Sequence, residues 1–432
     1  MWFIHKLYDI IDFTVENYKS IKDTTSFSME ATAIKDHSEN IFNDKNKILL
    51  KSAVIYGPNA SGKSNLLDAM DFMRSFVENS AIDYKPNEKT YVEPFKLNTQ
   101  TKNEPSLFEI TFISNEIKYR YGFRVDENIV HDEWLFHTKV RETKLFIRTK
   151  QEFDLSTAFS EGRLIVKENK TRENALFLSV VAQFNGNISK NISDWFNQFN
   201  ITSNVDKNKF EHYTIDMLSD EEHRSKILQL LLSVDMGIKE VELKTTDIDY
   251  DSIPSKIKVM INEEKIKKDS ITQSEIITKH MQYNKDNEYI ADIDFKLNNE
   301  STGTKKFLLL AGPIVETLLN GEILIIDELD NSFHTQMTEF IVQLFNSNET
   351  NPKNAQLIFA THDTNLLTHK LFRRDQIWFV EKNIYGESEI FSLIDFGARK
   401  DTSLEKNYLE GKFGGVPHIY NLYAENTTEL LD

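Results

Sequence analysis

The chain has 432 residues, a length that suits two or three domains. Hydrophobic residues make up 40% of it and include 30 Phe and 15 Tyr, so the chain can bury a large core. It has no Cys, which excludes disulfides, thiol catalysis and Cys-based zinc sites. A net charge of −17, from 51 basic and 68 acidic residues, opposes the attraction to nucleic acid that phosphate neutralisation produces.

The sequence contains no candidate membrane span. No stretch approaches the roughly 20 uninterrupted apolar residues that a spanning helix needs. The first residues, MWFIHKLYDIIDFTVENYKS, include Asp9, Asp12 and Glu16 and have no small-residue cleavage site, so we expect them to belong to the fold and not to a signal peptide. We therefore expect a cytoplasmic protein with no membrane partner.

The N-terminal third alternates strand and helix patterns. Residues 48–57 form an apolar run that enters a glycine-rich loop, and residues 64–80 have helical periodicity. Alternating apolar and polar residues predict strands on both sides, at 13–21, 25–29, 107–113, 118–125 and 133–140. The later strands follow one another as an antiparallel meander does, so we expect a mixed core with an antiparallel flank.

The loop at residues 57–64 reads Gly-Pro-Asn-Ala-Ser-Gly-Lys-Ser and fits the phosphate-binding pattern G-x-x-x-x-G-K-[ST] between a strand and a helix. Its glycines let backbone N–H groups surround a phosphate, and the helix N-terminus adds partial positive charge. Lys63 is expected on the β- and γ-phosphates of ATP and Ser64 on Mg²⁺. The predicted nucleotide-binding residues of this loop are Gly57, Asn59, Ala60, Ser61, Gly62, Lys63, Ser64 and Asn65. A chance glycine turn is the alternative.

Two later apolar strands end in polar residues. The run 322–328, Glu-Ile-Leu-Ile-Ile-Asp-Glu, predicts Asp327 as a Mg²⁺ ligand and Glu328 as the catalytic base, since acids at the carboxyl end of a parallel strand lie at the ligand crevice. The run 356–363 delivers His362 to the same edge, where it can hydrogen-bond the γ-phosphate. The alternatives are a solvated strand end and a locally satisfied histidine.

Residues 299–306, Asn-Glu-Ser-Thr-Gly-Thr-Lys-Lys, precede an apolar helix and offer a second anion-binding helix start. An ordinary N-cap, for which Ser301 or Thr302 suffices, is the alternative. The order of GPNASGKS, ESTGTKK, ILIIDELDNSFH and FATHD resembles ABC-type ATPase heads of the SMC and double-strand-break-repair branch. The resemblance implies that Ser301 and Gly303 bind the γ-phosphate held by a second copy, with Asp330 in the loop that crosses the interface.

This resemblance implies a fold and a site. The fold is an α/β P-loop NTPase head of the ABC/SMC type with a mixed sheet and an antiparallel flank. Residues 1–150 and 296–432 form the head, and a mostly helical insert at 151–295 interrupts it. Lys63, Glu328 and His362 are the catalytic residues, ATP and Mg²⁺ the cofactors, and the protein is a homo-oligomer of at least two copies.

Three further segments resemble a narrower group. FTVENYKSIKDTTSFSM, RENALFLSVVAQFN and YLEGKFGGVPHI look like the stand-alone ATPases of the abortive-infection AbiL/RloA group, which includes the ATPase component of PARIS-type phage defence. That group implies a slow ATPase that senses infection and controls a separately encoded effector, a toxin or nuclease. It also places Asn17, Tyr18 and Lys19 near the nucleotide.

Two other functions stay open on the sequence. One is a DNA recombination or repair ATPase, and the other is a scaffold that binds ATP with little turnover. The signature lacks the fuller L-S-G-G-Q form, and the glutamine-loop residue has only weak candidates in Gln100 and Gln183. The basic stretch 137–150 is more typical of a solvated strand pair than of a DNA-binding surface, so nucleic acid is possible but not favoured.

Overall fold

A computed structural model describes residues 8–44, 47–202, 207–249, 270–399 and 403–416. The chain divides into two compact units. The first contains residues 1–201, 321–331 and 338–432, and the second contains residues 202–320 and 332–337. The first unit thus includes the predicted N-terminal lobe together with the first fifty residues of the segment that was predicted as an insert.

A six-stranded sheet forms the centre of the first unit, in the order β11-β15-β16-β5-β17-β18. Neighbours β15, β16, β5 and β17 run parallel, and β18 is antiparallel to β17. The side chains of β5, β15 and β16 are all buried, as in parallel sheets covered on both faces. The bounds are β5 Ser52–Tyr56, β11 Phe199–Thr202, β15 Ile323–Ile326, β16 Gln356–Ala360, β17 Ile377–Lys382 and β18 Ser388–Ser392.

An antiparallel sheet of seven strands flanks this centre, in the order β10-β9-β8-β7-β6-β1-β2. A separate hairpin, β3–β4, precedes β5. The bounds are β1 Tyr8–Glu16, β2 Thr25–Ser28, β3 Ile41–Asp44, β4 Lys47–Leu50, β6 Ser106–Ser114, β7 Ile117–Val125, β8 Val130–Thr138, β9 Glu142–Thr149 and β10 Glu152–Leu155. The predicted P-loop α/β fold, with a mixed sheet and an antiparallel flank, is confirmed.

Helix α1, Lys63–Asn79, packs on the antiparallel sheet. Phe72 lies 4.8 Å from Phe108 and Phe76 lies 5.5 Å from Phe123, measured between ring centroids. Three shorter helices of the first unit follow the antiparallel strands, and two more come late in the chain. Their bounds are α2 Arg163–Lys167, α3 Phe177–Gln183, α4 Asn187–Phe196, α8 Thr335–Asn346, whose first three residues belong to the second unit, and α9 Leu404–Leu409.

The stretch RENALFLSVV holds the C-terminal end of α1. The Arg172 guanidinium donates to the carbonyl oxygens of Ser80 and Ala81 at 3.1 and 3.2 Å. The Ser179 hydroxyl donates to the carbonyl oxygen of Val77 at 2.6 Å. These bonds satisfy carbonyl groups that a helix end leaves without intrahelical partners. The stretch RENALFLSVV therefore has a structural role in the first unit.

A fully buried ion pair joins β8 and β9. The Arg148 guanidinium lies 3.3 Å from the Glu133 carboxylate, and both side chains are fully buried. Glu133 also accepts hydrogen bonds from the backbone of Phe177 and Leu178, at 2.6 and 2.9 Å, and from the Tyr121 hydroxyl at 3.0 Å. Burial raises the pKa of Glu133, and Arg148 opposes that rise. The carboxylate thus anchors the start of α3 to the sheet.

The second unit combines helices with a three-stranded antiparallel sheet, β12-β13-β14, which the sequence analysis did not predict. Its bounds are α5 Lys207–Ser219, α6 Glu221–Leu232, β12 Ile238–Asp249, β13 Ser270–Tyr283, β14 Tyr289–Lys296 and α7 Thr302–Asn320. Helix α7 contains Pro313, which cannot donate to the Leu309 carbonyl one turn earlier. The Thr214 hydroxyl donates to that carbonyl at 2.8 Å instead. Among the helices described, none has the length and apolar character needed to cross a membrane.

The buried ion pair gives a stability prediction. Replacing Glu133 with Ala should lower the free energy of unfolding by about 3–5 kcal/mol, because it leaves the Arg148 charge buried and unpaired. Lys96→Ala breaks an exposed pair with Glu93 and should cost less than about 1 kcal/mol. Thermal and urea unfolding of both variants measure the difference, and equal midpoints would contradict the role of Glu133.

Candidate nucleotide-binding site

The carboxyl ends of three parallel strands meet at one edge of the central sheet. Ile326 of β15 pairs with Phe359 of β16, and Ala360 pairs with Ile55 of β5. Backbone bonds continue this alignment past the strand ends, since the Leu329 N–H donates to the Ala360 carbonyl at 3.0 Å. The loops that follow the three strands therefore share one edge, where open α/β sheets bind ligands. We call this the carboxyl edge.

The phosphate loop has room only for glycine at two positions. A Cβ atom on Gly57 would lie 2.3 Å from the carbonyl oxygen of Val380, and one on Gly62 would lie 2.1 Å from the Ser388 hydroxyl. Gly62 also has φ of +111°, and Ala60, next to the exposed Asn59, has φ of +63°. The loop is thus pressed against β17 and β18, with Asn59 and Ala60 exposed to solvent.

Lys63 is nearly buried at the start of α1, with 5% of its side chain exposed. Its ammonium donates to the carbonyl oxygens of Gly57 and Pro58 at 2.7 and 3.1 Å and lies 3.5 Å from Nδ1 of His362. Burial lowers the pKa of Lys63 to about 8, against the opposing effect of the nearby acids Asp327, Asp330 and Glu328. A phosphate that reached Lys63 could take the place of the loop carbonyls as its partner.

Ser64 and Asp327 form the part of the site that fits a magnesium ion. Ser64 lies beside the Asp327 carboxylate and acts to lower its pKa, against the larger effect of burial. One oxygen of that carboxylate, Oδ1, is buried and has no hydrogen-bond partner. Burial raises the pKa of Asp327, and Glu328 and Asp68 add to the rise. Proteins typically bind Mg²⁺ through one or two such side-chain oxygens, and water molecules and substrate phosphates supply the other ligands.

Glu328 follows Asp327 in a strained backbone conformation, with φ of +50°. Non-glycine residues in this left-handed region cost about 1–2 kcal/mol, and such strain clusters at functional sites. Asn331 closes the turn, because its N–H donates to the Glu328 carbonyl at 3.1 Å. The turn directs the Glu328 side chain independently of the preceding strand.

His362 and Asp330 interact within the chain. The His362 backbone N–H lies 3.3 Å from both carboxylate oxygens of Asp330. Burial lowers the pKa of His362, and the positive charge of Lys63 lowers it further. The imidazole is therefore kept neutral beside the lysine. Asp330, predicted for a contact between copies, is engaged by its own chain in this structure.

Ser301 and Gly303 lie in the second unit. Ser301 is exposed, and its hydroxyl oxygen accepts the backbone N–H of Thr304 at 3.1 Å, so it caps α7. A Cβ on Gly303 would lie 2.8 Å from the carbonyl oxygen of Ser332. The capping alternative thus accounts for the serine, and a close backbone approach accounts for the glycine.

Comparison with known proteins assigns the family. The family described as "AAA domain, putative AbiEii toxin, Type IV TA system" matches residues 52–368. The chain belongs to this family. The match begins at β5 and ends eight residues after β16, so it covers the phosphate loop, the Asp327–Glu328 turn and His362.

Several solved structures of SMC heads are similar in fold. The SMC head domain from Thermotoga maritima has a TM-score of 0.40 at 13% identity, covering 89% of this chain and 98% of that one. An SmcHead bound to the C-winged helix domain of ScpA scores 0.45 at 14% identity, covering 89% and 99%. A head with an extended coiled coil, bound to the C-terminal domain of ScpA derived from Pyrococcus furiosus, scores 0.42 at 13% identity, covering 89% and 97%. None of the curated proteins compared with the chain matches it.

Sequence reasoning missed the hydroxyl groups behind the phosphate loop of this AAA-domain protein. The Ser388 hydroxyl lies 2.7 Å from the Ser20 hydroxyl and 2.5 Å from the carbonyl oxygen of Ser61. Asn65 donates through its side-chain amide to the Ser20 hydroxyl. These residues come from three distant parts of the chain, and no local pattern marks Ser20 or Ser388.

The three residues Asn17, Tyr18 and Lys19 have different roles. Asn17 is buried, and its amide donates to the carbonyl oxygens of Thr101 and Glu104, each at 2.8 Å. It therefore fixes the loop before β6. Lys19 forms a 2.6 Å ion pair with Asp68, and the Tyr18 hydroxyl lies 3.5 Å from the Asp68 carbonyl. Tyr18 and Lys19 thus contact the phosphate-loop helix.

The two glutamine candidates lie in different parts of the first unit. Gln100 is exposed and donates to Glu104 at 2.9 Å. Gln183 lines a cavity with Val77 and Glu78, near the C-terminal end of α1. That end lies about 20 Å from the start of the helix. The position of a glutamine loop stays unassigned.

The stretch YLEGKFGGVPHI packs behind the phosphate loop as far as it is described, with residues 417–419 outside the described part. The Tyr408 hydroxyl donates to the Gly415 carbonyl at 2.7 Å, and the Gly415 N–H donates to Glu381 at 3.2 Å. Tyr408 stacks on Phe379 with ring centroids 5.3 Å apart. The stretch thus supports β17, against which Gly57 lies.

The unpaired Asp327 oxygen gives a prediction about ligand-dependent stability. Asp327→Asn removes a buried carboxylate, so the unfolding midpoint without ligand should stay unchanged or rise. Mg·ATP at about 100 times its Kd should stabilise the wild type by about 2.7 kcal/mol and the variant by much less. Asp154→Asn, at an exposed ion pair with Lys144, is the control. Equal thermal shifts in both variants would contradict the Mg²⁺ assignment.

Proposed function

We propose that the protein binds ATP with Mg²⁺ and hydrolyses it slowly to ADP and phosphate. The observation that carries this proposal is the position of Ser64, the residue after Lys63, beside Asp327. One oxygen of the Asp327 carboxylate is buried without a hydrogen-bond partner. The backbone of residues 57–62 would surround the β-phosphate, and Lys63 would contact the β- and γ-phosphates. Membership of the family supports a nucleotide-dependent function.

The hydrolytic step is assigned to the residues of the carboxyl edge. Water attacks the γ-phosphorus, Glu328 accepts its proton, and the bond to the β-phosphate oxygen breaks. Neutral His362 donates a hydrogen bond to the γ-phosphate. Ser64 and Asp327 would hold Mg²⁺, which would supply positive charge to the triphosphate. A positioned base contributes about 10²–10⁴ in rate, which sets the size of the effect expected from Glu328.

Two variants separate binding from hydrolysis. Lys63→Ala should abolish ATP binding, because the phosphates lose their buried cation. Glu328→Gln should keep ATP bound while turnover falls by at least about 100-fold. Calorimetric titration and phosphate release measure the two quantities. An unchanged rate in Glu328→Gln would remove the base assignment, and an active Lys63→Ala would remove the ATPase proposal.

We further propose that two copies complete each site, with Ser301 and Gly303 of one copy facing the γ-phosphate held by the other. The exposure of Ser301 at the start of the 19-residue helix α7 supports this. Helix starts attract anions through free N–H groups and the helix dipole. In that arrangement hydrolysis separates the pair, and association is the signal that the protein transmits.

Mixing two inactive variants tests the shared site. Lys63→Ala lacks the contact with the phosphates bound by its own copy. Ser301→Arg blocks the surface that would face the γ-phosphate bound by the other copy. A mixed pair keeps one complete site, so combining the two proteins should restore about a quarter of the wild-type rate when pairing is random. Separate sites within each copy predict no recovery on mixing. Mixing Lys63→Ala with Lys63→Ala,Ser301→Arg controls for dilution.

The biological role that we propose is antiviral defence, in which the ATPase senses infection and controls a separate toxin or nuclease. The resemblance to the AbiL/RloA group and the toxin–antitoxin description of the family support it. Phage challenge of cells carrying the wild-type locus or Glu328→Gln tests this role, with purification of the tagged protein before and after infection. Strong salt-sensitive stimulation of the ATPase by DNA would favour a repair function instead.

A further inference from the structure

The tip of the β17–β18 hairpin displays apolar side chains to solvent at the carboxyl edge. Ile384 and Tyr385 are 92% and 69% exposed, and Leu97, from the loop before β6, is 73% exposed. Leu97 lies against the same tip, because a Cβ on Gly386 would be 2.5 Å from its Cδ1 atom. Exposed apolar groups that cluster at one place mark a binding surface more often than isolated ones.

The tip is rigid. The Asn383 side chain accepts the backbone N–H groups of Tyr385 and Glu387 at 2.9 and 3.1 Å. The Gly386 N–H donates to the Asn383 carbonyl at 3.0 Å, with φ of +78° at the glycine. Lys22 forms a 2.7 Å ion pair with Glu387. The exposed side chains are therefore held in place before any ligand binds, which lowers the entropic cost of binding.

The hairpin is also joined directly to the phosphate loop. Ser388, the first residue of β18, contacts the Ser61 carbonyl and the Ser20 hydroxyl, and a Cβ on Gly62 would clash with it. Tyr385 is three residues from Ser388, so its backbone lies within about 10 Å of that residue. This distance is comparable to the length of a nucleoside.

The order of the strands gives the direction of a bound nucleotide. Strands β15 and β16, which carry Asp327, Glu328 and His362, lie on one side of β5, and β17 and β18 lie on the other. A triphosphate whose terminal phosphate reaches the acids must extend its nucleoside away from them. Asn65, on the first turn of α1, donates to Ser20 and so lies on this second side.

We propose that Tyr385, with Leu97 beside it, forms the platform on which the base of the bound nucleotide stacks. The proposal rests on the proposed function and adds the residue that binds the base. Stacking uses the face of the tyrosine ring and needs no hydroxyl group. Base–aromatic stacking changes affinity by roughly 5- to 150-fold per base.

Titration with two ligands tests the platform. Tyr385→Ala should weaken binding of Mg·ATP by roughly 5- to 150-fold and leave binding of Mg·tripolyphosphate, which has no base, unchanged. Tyr385→Phe should bind ATP as the wild type does. Tyr289→Ala removes a 53% exposed tyrosine on β14 and should change neither ligand.

The outcomes distinguish this inference from the function on which it rests. Equal weakening of both ligands in Tyr385→Ala, or no weakening of either, overturns the platform while leaving ATP binding intact. Loss of ATP affinity in Tyr385→Phe also overturns it, because the ring face is retained. A wild-type protein that binds no ATP overturns the proposed function and the platform together.

Discussion

The nucleotide site depends on holding one lysine, one histidine and three carboxylates together in a partly buried crevice. Burial disfavours charge on Lys63, His362 and Asp327, and this accounts for the lowered pKa values of Lys63 and His362 and the raised pKa of Asp327. The groups partly compensate one another, since acids surround the lysine. A bound anion with its cation would complete that compensation, as expected where residues are arranged for function at some cost in stability.

Helix α1 joins this crevice to the antiparallel sheet, and contacts fix both of its ends. At its start, Gly62 is pressed against Ser388. At its end, Arg172 and Ser179 donate hydrogen bonds to carbonyl groups of residues 77–81. Glu133 anchors the start of α3 to the sheet. Between these ends, aromatic side chains pack against the flank. A shift of the phosphate loop along the helix axis would therefore have to disturb contacts at the far end, because close-packed interiors transmit strain.

The central fold, and the positions of Asp327 and His362 at strand ends, could be predicted because both leave local signals in the sequence. The strand–loop–helix at residues 48–80 and the apolar strands ending in Asp327 and His362 follow from periodicity and motif spacing alone. The hydroxyl contacts of Ser20 and Ser388 could not be predicted, since each depends on a partner hundreds of residues away. The sheet β12–β14 was missed because most of β14 is exposed and because polar residues separate the few buried apolar side chains of β12 and β13. The loop-fixing bonds of Asn17 could not be predicted, because a buried asparagine that fixes a loop and one that contacts a ligand look alike in a sequence.

The turn after β15 connects Glu328, the proposed catalytic base, to His362, which is proposed to hydrogen-bond the γ-phosphate. Glu328 is held in a left-handed conformation, Leu329 is bound to the strand that carries His362, and Asp330 accepts the His362 N–H. His362 in turn lies beside Lys63. A change at the γ-phosphate that moved His362 would thus act on Asp330 and, through two residues of backbone, on Glu328. Because Glu328 is held in a strained conformation, displacement of this turn would change its energy, and under the proposed function this would connect loss of the γ-phosphate to the Asp330 loop.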